Sequence, residues 1–222
     1  MTSSTVPPLS EADLKAIAIT RLHRSGRISS GAIIANEYRL ADSGVRADLA
    51  VLDKKFIGIE IKSDRDSLRR LATQIKAYKL YFDLTILLVA EKHAANIDID
   101  LTGVELWTVS NRGRVKTVCR PMRARSNSAP ERLVDLLPAR QRRKIQDSTQ
   151  SSMLGSIVAE AFRKYFHDRF STTSRKFWDS SENSSIGKES LGNLSVYKPL
   201  RKKAADRAQE RASIFKEWES TS

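Results

Sequence analysis

Apolar residues recur three and four apart between Ala12 and His23, at Leu14, Ile17, Ala18 and Leu22, and this spacing predicts an amphipathic helix. Ser10 reads as its N-cap, and Arg24-Ser25-Gly26 ends it. The period then falls to two. Ile33 to Leu40 reads as a strand, and Ala47 to Leu52 and Phe56 to Lys62 alternate on either side of a polar Asp53-Lys54-Lys55 turn, the pattern of a hairpin. In its second arm Ile57, Ile59 and Ile61 share one face, and Gly58, Glu60 and Lys62 share the other. Helical spacing returns at Leu68, Leu71, Ile75, Tyr78 and Phe82, with Ser63 or Asp64 as the cap. Leu84 to Ala90 is almost unbroken in its apolar character, as expected of a buried strand lying parallel to its neighbour after a helical crossover. Val104 to Val109 and Arg114 to Val118 predict two further strands around an Asn111-Arg112-Gly113 turn. The class is α/β: helix, three strands, helix, strand, then extra strands.

The hairpin brings charges together. If Leu52 lies opposite Phe56, the same register sets Asp48 directly across from Glu60. Opposed side chains stand roughly 4.5 to 5.5 Å apart at Cβ and like charges there repel, so two facing carboxylates call for a cation between them. A hard divalent ion, Mg²⁺ or Mn²⁺, suits oxygen ligands, and Lys62 beside it could orient or deprotonate an attacking water. That combination describes metal-assisted phosphodiester hydrolysis. A plainer reading has Lys62 neutralising Glu60 and Arg46 neutralising Asp48 on an ordinary polar face.

The order Glu37, Arg46-Ala47-Asp48, Glu60-Ile61-Lys62, Gln74 and Tyr78 resembles the PD-(D/E)XK nuclease superfamily. Residues 36–93 are similar to a branch of small, mostly uncharacterised bacterial and phage proteins within it. Ala47 stands where the superfamily's name has proline. The resemblance implies a restriction-endonuclease-like αβββαβ core with a mixed sheet flanked by helices. It implies that Asp48, Glu60 and the Ile61 carbonyl hold Mg²⁺ or Mn²⁺, that Lys62 positions the attacking water, and that Glu37 assists catalysis. Glu11 competes with Glu37 to complete the metal site, although it also suits the first turn of its helix; the plain reading of Glu37 is a solvated strand residue paired with Arg39 or Arg46. Arg70, Gln74 and Tyr78 form an i, i+4 row beside the apolar stripe; the resemblance implies that Gln74 orients the site or substrate and leaves Tyr78 to packing. Arg65, Arg69 and Arg70 are candidate phosphate contacts, against the alternative of solvated helix arginines. His93, at a strand end with no second histidine near in sequence, gives no zinc pattern.

Charge changes the picture of the second half. The 222 residues carry a formal net charge of +13, which points to a polyanionic partner, DNA in the first place and RNA as an alternative. Residues 1–118 hold 18 basic and 14 acidic side chains, and residues 119–222 hold 21 and 12, so the excess lies in the second half. The expected division is a nuclease-like core over 1–120 and a basic, mainly helical, partly flexible region over 121–222. Arg120 to Pro130 reads as a linker, with helical segments from Arg132 and Arg140 onward. Leu154, Ile157, Val158, Ala161, Phe162, Tyr165 and Phe166 form an amphipathic face that could pack on the core, on a second subunit in a homodimer, or on a helix over Arg201 to Trp218. Ser171 to Asn193 reads as a flexible loop, and Lys202 and Lys203 are further candidate nucleic-acid contacts. A single cysteine, no apolar run of membrane-spanning length and no export-signal pattern suggest a cytoplasmic protein with no membrane partner. The expected activity is that of a Mg²⁺-dependent deoxyribonuclease; the alternative is a catalytically inactive nuclease-fold module that binds DNA or protein.

Overall fold

A computed structural model describes residues 8–121, 129–148, 154–182 and 186–195. Helix α1 (Glu11–Arg24) begins at a capping box in which the Asp13 N–H donates to Ser10 Oγ at 3.2 Å and the Ser10 N–H donates to Asp13 Oδ2 at 3.0 Å. Strands β1 (Ile33–Arg39), β2 (Arg46–Leu52) and β3 (Phe56–Lys62) form an antiparallel meander. Helix α2 (Leu71–Tyr81) crosses to β4 (Leu84–Ala90), parallel to β3; the single turn α3 (Glu91–Ala94) and a loop lead to β5 (Val104–Val109), parallel to β4, and β6 (Val115–Cys119) returns antiparallel. The six strands lie in sequence order in one mixed sheet, flanked by helices as expected.

The hairpin register pairs Leu52 with Phe56 and Leu49 with Ile59, the register expected from the turn. Ile57, Ile59 and Ile61 join Leu14, Ile19 and Leu22 of α1 in one core. Gly58 faces the other side, where α2 lies so close that a Cβ on Gly58 would stand 2.2 Å from the Phe82 ring.

Two expected boundaries are corrected. Helix α2 starts at Leu71 rather than near Ser63, because Asp66 folds back to accept from the Ser63 N–H at 2.7 Å and closes a separate turn before the helix. The segment from Ser171 is helical rather than a loop: α5 runs from Leu154 to Glu182 without interruption, and its serines hide a second apolar stretch, Phe177 and Trp178, both buried. A 3₁₀ turn (Pro130–Leu136), helix α4 (Ala139–Ser148) and a second 3₁₀ turn (Ser190–Leu194) complete the described chain.

Of the partners open to the amphipathic face of α5, the structure supplies the sheet of the same chain. Val158, Phe162, Phe166 and Phe170 fill the α2-side core with Tyr38, Phe56 and Phe82, while Phe177 and Trp178 fill the α1-side core. Helix α5 thus wraps the β1 edge. Ser174 Oγ accepts from the Ile34 N–H at 2.8 Å and donates back to the Ile34 carbonyl at 3.2 Å, and Trp178 Nε1 donates to the Ala32 carbonyl at 2.8 Å. Those bonds satisfy backbone groups that an open edge strand would leave for another chain. The described residues after Pro130 therefore share both cores with the first half. Lys202, Lys203 and the Arg201–Trp218 segment lie outside the described residues.

Candidate functional site

Beyond Leu49 and Ile59 the ladder between β2 and β3 gives way to side chains. Asp48 comes next to Glu60 by the same register, and Asp48 Oδ2 accepts the Ile61 N–H at 2.7 Å. Glu60 is fully buried, and its Oε2 accepts the Tyr78 hydroxyl at 2.7 Å. The same hydroxyl accepts the Asp48 N–H at 3.2 Å. Tyr78, assigned to packing by the sequence, is the bridge between the two acidic strands. Its signal was the i, i+4 row with Gln74, which the apolar stripe obscured.

Lys62 Nζ lies 2.7 Å from Glu60 Oε1 and donates to Gln74 Oε1 at 3.0 Å, which brings Gln74 to the acidic end of the hairpin. Glu60 Oε1 is buried and has no hydrogen-bond partner among the described residues; the short approach of Lys62 is outside hydrogen-bond angles. Burial pushes the Asp48 carboxyl up to about 8, aided by the Glu60 charge and opposed by the Ile61 N–H. Burial raises Glu60 as well, against the charge of Lys62 beside it. Two desolvated carboxylates at one end of a sheet hold protons or attract a cation.

Glu37 reaches the site through a distorted backbone. Its φ of 58° is the left-handed region, and it breaks the alternation of β1: Ile34 lies in the α1-side core, whereas Tyr38, four residues on, lies in the opposite one. Single carboxylate oxygens of Glu11, Glu37 and Asp48 lie within 4.8 Å of one another, so both rivals from the sequence stand at the same place. Arg46 Nε pairs with Glu37 Oε2 at 2.6 Å, as the plain reading of Glu37 expects, and not with Asp48. Lys15, passed over in the sequence, is buried and donates to Glu37 Oε1 and, at 2.8 Å, to Asn36 Oδ1. Its signal was the position four residues after Glu11 on the buried side of α1.

These groups open on a cleft of about 670 Å³ that is lined by Asp48, Glu60, Lys62 and Gln74, by Arg39, Arg46 and Arg70, and by the β1–β2 turn at Ser43 and Gly44. It lies at the C-terminal end of the parallel β3–β4 pair, where open α/β sheets present their ligands. Arg39 and Arg70 are exposed at its rim; Arg65 and Arg69 are exposed but do not line it. His93 Nε2 contacts the Ser63 carbonyl at 2.9 Å and holds the segment after Lys62.

Residues 5–195 match the family described as Bacteriophage P4 protein cII. Protein cII of Enterobacteria phage P4 is 37% identical over 89 residues, 40% of this chain and 33% of that protein. The alignment thus spans about a third of the curated relative's length. Among solved structures, a Silicibacter pomeroyi protein of unknown function is similar over 72% of this chain and 89% of its own, at 15% identity and a TM-score of 0.41. With α1, the whole sheet and α5 inside the matched range, the chain belongs to the bacteriophage P4 protein cII family.

Proposed function

We propose that this protein is a metal-dependent nuclease that hydrolyses phosphodiester bonds in DNA, on a core of the PD-(D/E)XK kind. The observation that carries the reading is the buried Glu60 oxygen with no hydrogen-bond donor, opposite Asp48 and 2.7 Å from Lys62 Nζ. A hard carboxylate oxygen without a hydrogen-bond donor fits Mg²⁺ or Mn²⁺, and Asp48, Glu60 and the Ile61 carbonyl would hold the ion. A bound divalent ion supplies Lewis-acid stabilisation of the phosphoryl charge and eases deprotonation of water. Tyr78 fixes Glu60, and the Ile61 N–H fixes Asp48. Gln74 holds Lys62 so that its ammonium can donate to the attacking water or to the charge that builds on phosphorus. In the reaction a water oxygen bonds to phosphorus, one P–O ester bond breaks, and the departing oxygen takes a proton. The rim arginines, Arg39 and Arg70, would hold the flanking phosphates.

A second reading is favoured by the pairing of Glu37 with Lys15 and Arg46: a nuclease-like fold whose acidic pocket is closed by its own cations and which binds nucleic acid without cutting it. One experiment separates the two. Supercoiled, linear and single-stranded DNA are incubated with Mg²⁺, Mn²⁺ or EDTA and with wild type, Asp48→Ala and Lys62→Ala. Cleavage that requires metal and is lost in both variants supports the nuclease; binding without cleavage, equal in all three, supports the second reading.

A further inference from the structure

Lys15 is a buried ammonium among acids. Its Nζ lies 2.6 Å from Glu11 Oε1 and 2.8 Å from Asn36 Oδ1, and it also donates to Glu37 Oε1, so each of its three N–H groups has an oxygen to meet. Burial alone would push this ammonium towards neutrality, yet the hydrogen bonds and charges of Glu11 and Glu37 outweigh it and raise its pKa. The residue is only 5% exposed.

Its position matters because Asp48 belongs to two groupings. On one side Asp48 faces Glu60; on the other it clusters with Glu11 and Glu37 within 4.8 Å. A carboxylate shared in this way is the arrangement of a bridging ligand between two cations, which in two-metal phosphodiesterases stand about 3.5 to 4 Å apart. On the Glu11 and Glu37 side the chain brings a cation of its own, Lys15, whose charge is felt at Asp48.

Resting on the metal-dependent reading above, we propose that Lys15 is the resident second cation of this site. Glu11 and Glu37 are then positioning residues that hold Lys15 rather than metal ligands, and the chain takes one divalent ion, at Asp48 and Glu60. The left-handed backbone at Glu37 serves this role by turning its carboxylate to Lys15.

The test is Mn²⁺ binding to the full chain, counted by calorimetry and by loss of the free-ion paramagnetic resonance signal. Melting curves confirm that each variant is folded. The expected result is one ion per chain in wild type, none in Asp48→Asn, and one ion bound within about threefold of wild-type affinity in the Glu11→Gln, Glu37→Gln double variant. Lys15→Met is expected to take a second ion, which the two glutamine substitutions then remove. Two ions in wild type, loss of the ion in the double variant, or a folded Lys15→Met that still takes one would each overturn the assignment of Lys15 and leave the metal-dependent reading standing. No ion in wild type would overturn that reading as well. Should Lys15→Met fail to fold, the double variant decides.

Discussion

The Tyr78 hydroxyl donates to Glu60 Oε2 at 2.7 Å while it accepts the Asp48 N–H at 3.2 Å, so one phenol on α2 ties together the two strands that carry the acids. Burial, with the Glu60 and Asp48 charges adding to it, pushes this phenol well above its ordinary range. Tyr78→Phe keeps the ring in its core and removes the hydroxyl that donates to Glu60 Oε2. The expected loss is about 1 to 3 kcal/mol, the range for stranding a buried polar group. Urea unfolding measures it; an unchanged midpoint would mean that Glu60 finds another donor.

Gly58 tests the packing behind the site without touching its chemistry. The Phe82 ring occupies the space that a Cβ would need, at 2.2 Å, and this ring also stacks against Phe56 and Tyr78. Gly58→Ala must push α2 from the sheet or force Phe82 off its rotamer, at an expected cost of about 1 to 3 kcal/mol. Chemical denaturation of the variant, with Phe82→Leu added to relieve the clash, checks the cause: the second change should recover part of the loss.

The backbone path was legible where each face of an element had one task. The hairpin register followed from the turn because Ile57, Ile59 and Ile61 must all reach the α1-side core, and a slip by one residue would expose them. Asp48, Glu60, Lys62 and Gln74 followed from that register and from the resemblance. What stayed hidden depends on tertiary contact. Lys15 lies on the buried side of its helix because three oxygens from β1 and α1 receive it, and no periodicity announces such a partner. The break at Glu37 depends on a backbone conformation that glutamate seldom adopts. In α5 the serines between Phe170 and Trp178 read as a loop, yet Ser174 is buried because the β1 edge needs its hydroxyl.

Asp48 makes stability depend on pH in a direction opposite to that of most carboxylates. Its folded pKa of about 8 lies above the ordinary value of 3.8, so between these limits the folded state keeps a proton that the unfolded chain has released. Stability without metal should therefore fall as the pH rises through that window, by an amount on the order of a few kcal/mol, shared with Glu60. Asp48→Asn should flatten the slope. Mg²⁺ should restore wild-type stability at the alkaline end and leave the variant unmoved. Melting temperatures from about pH 5 to pH 9, in EDTA and in Mg²⁺, report both; a wild type whose stability rises across this range would contradict the raised carboxyl.

Lys62 and Gln74 should separate in kinetics. Lys62→Met removes the charge from the cleft and leaves Glu60 without its counter-ion, so cleavage should fall by about 10²-fold or more, in keeping with loss of a positioned proton-transfer or charge-stabilising group. Gln74→Leu leaves the ammonium but frees it from its 3.0 Å anchor, and a smaller fall of about tenfold is expected. Single-turnover cleavage at saturating protein isolates the chemical step. Equal losses in the two variants would show that Gln74 does more than hold the lysine.

The rim arginines divide by geometry, not by charge. Arg39 and Arg70 line the cleft, whereas Arg65 and Arg69 carry the same charge on the surface beside it. Each arginine that neutralises a phosphate releases condensed counterion, so Arg39→Ala and Arg70→Ala should each lower the slope of log affinity against log salt by about one. Arg69→Ala should leave the slope unchanged although it alters net charge equally. Fluorescence anisotropy with labelled DNA in EDTA, over a series of salt concentrations, makes the comparison without cleavage. If all three variants shift the slope alike, the nucleic acid is held by the general basic field of the chain, and the cleft is not its path.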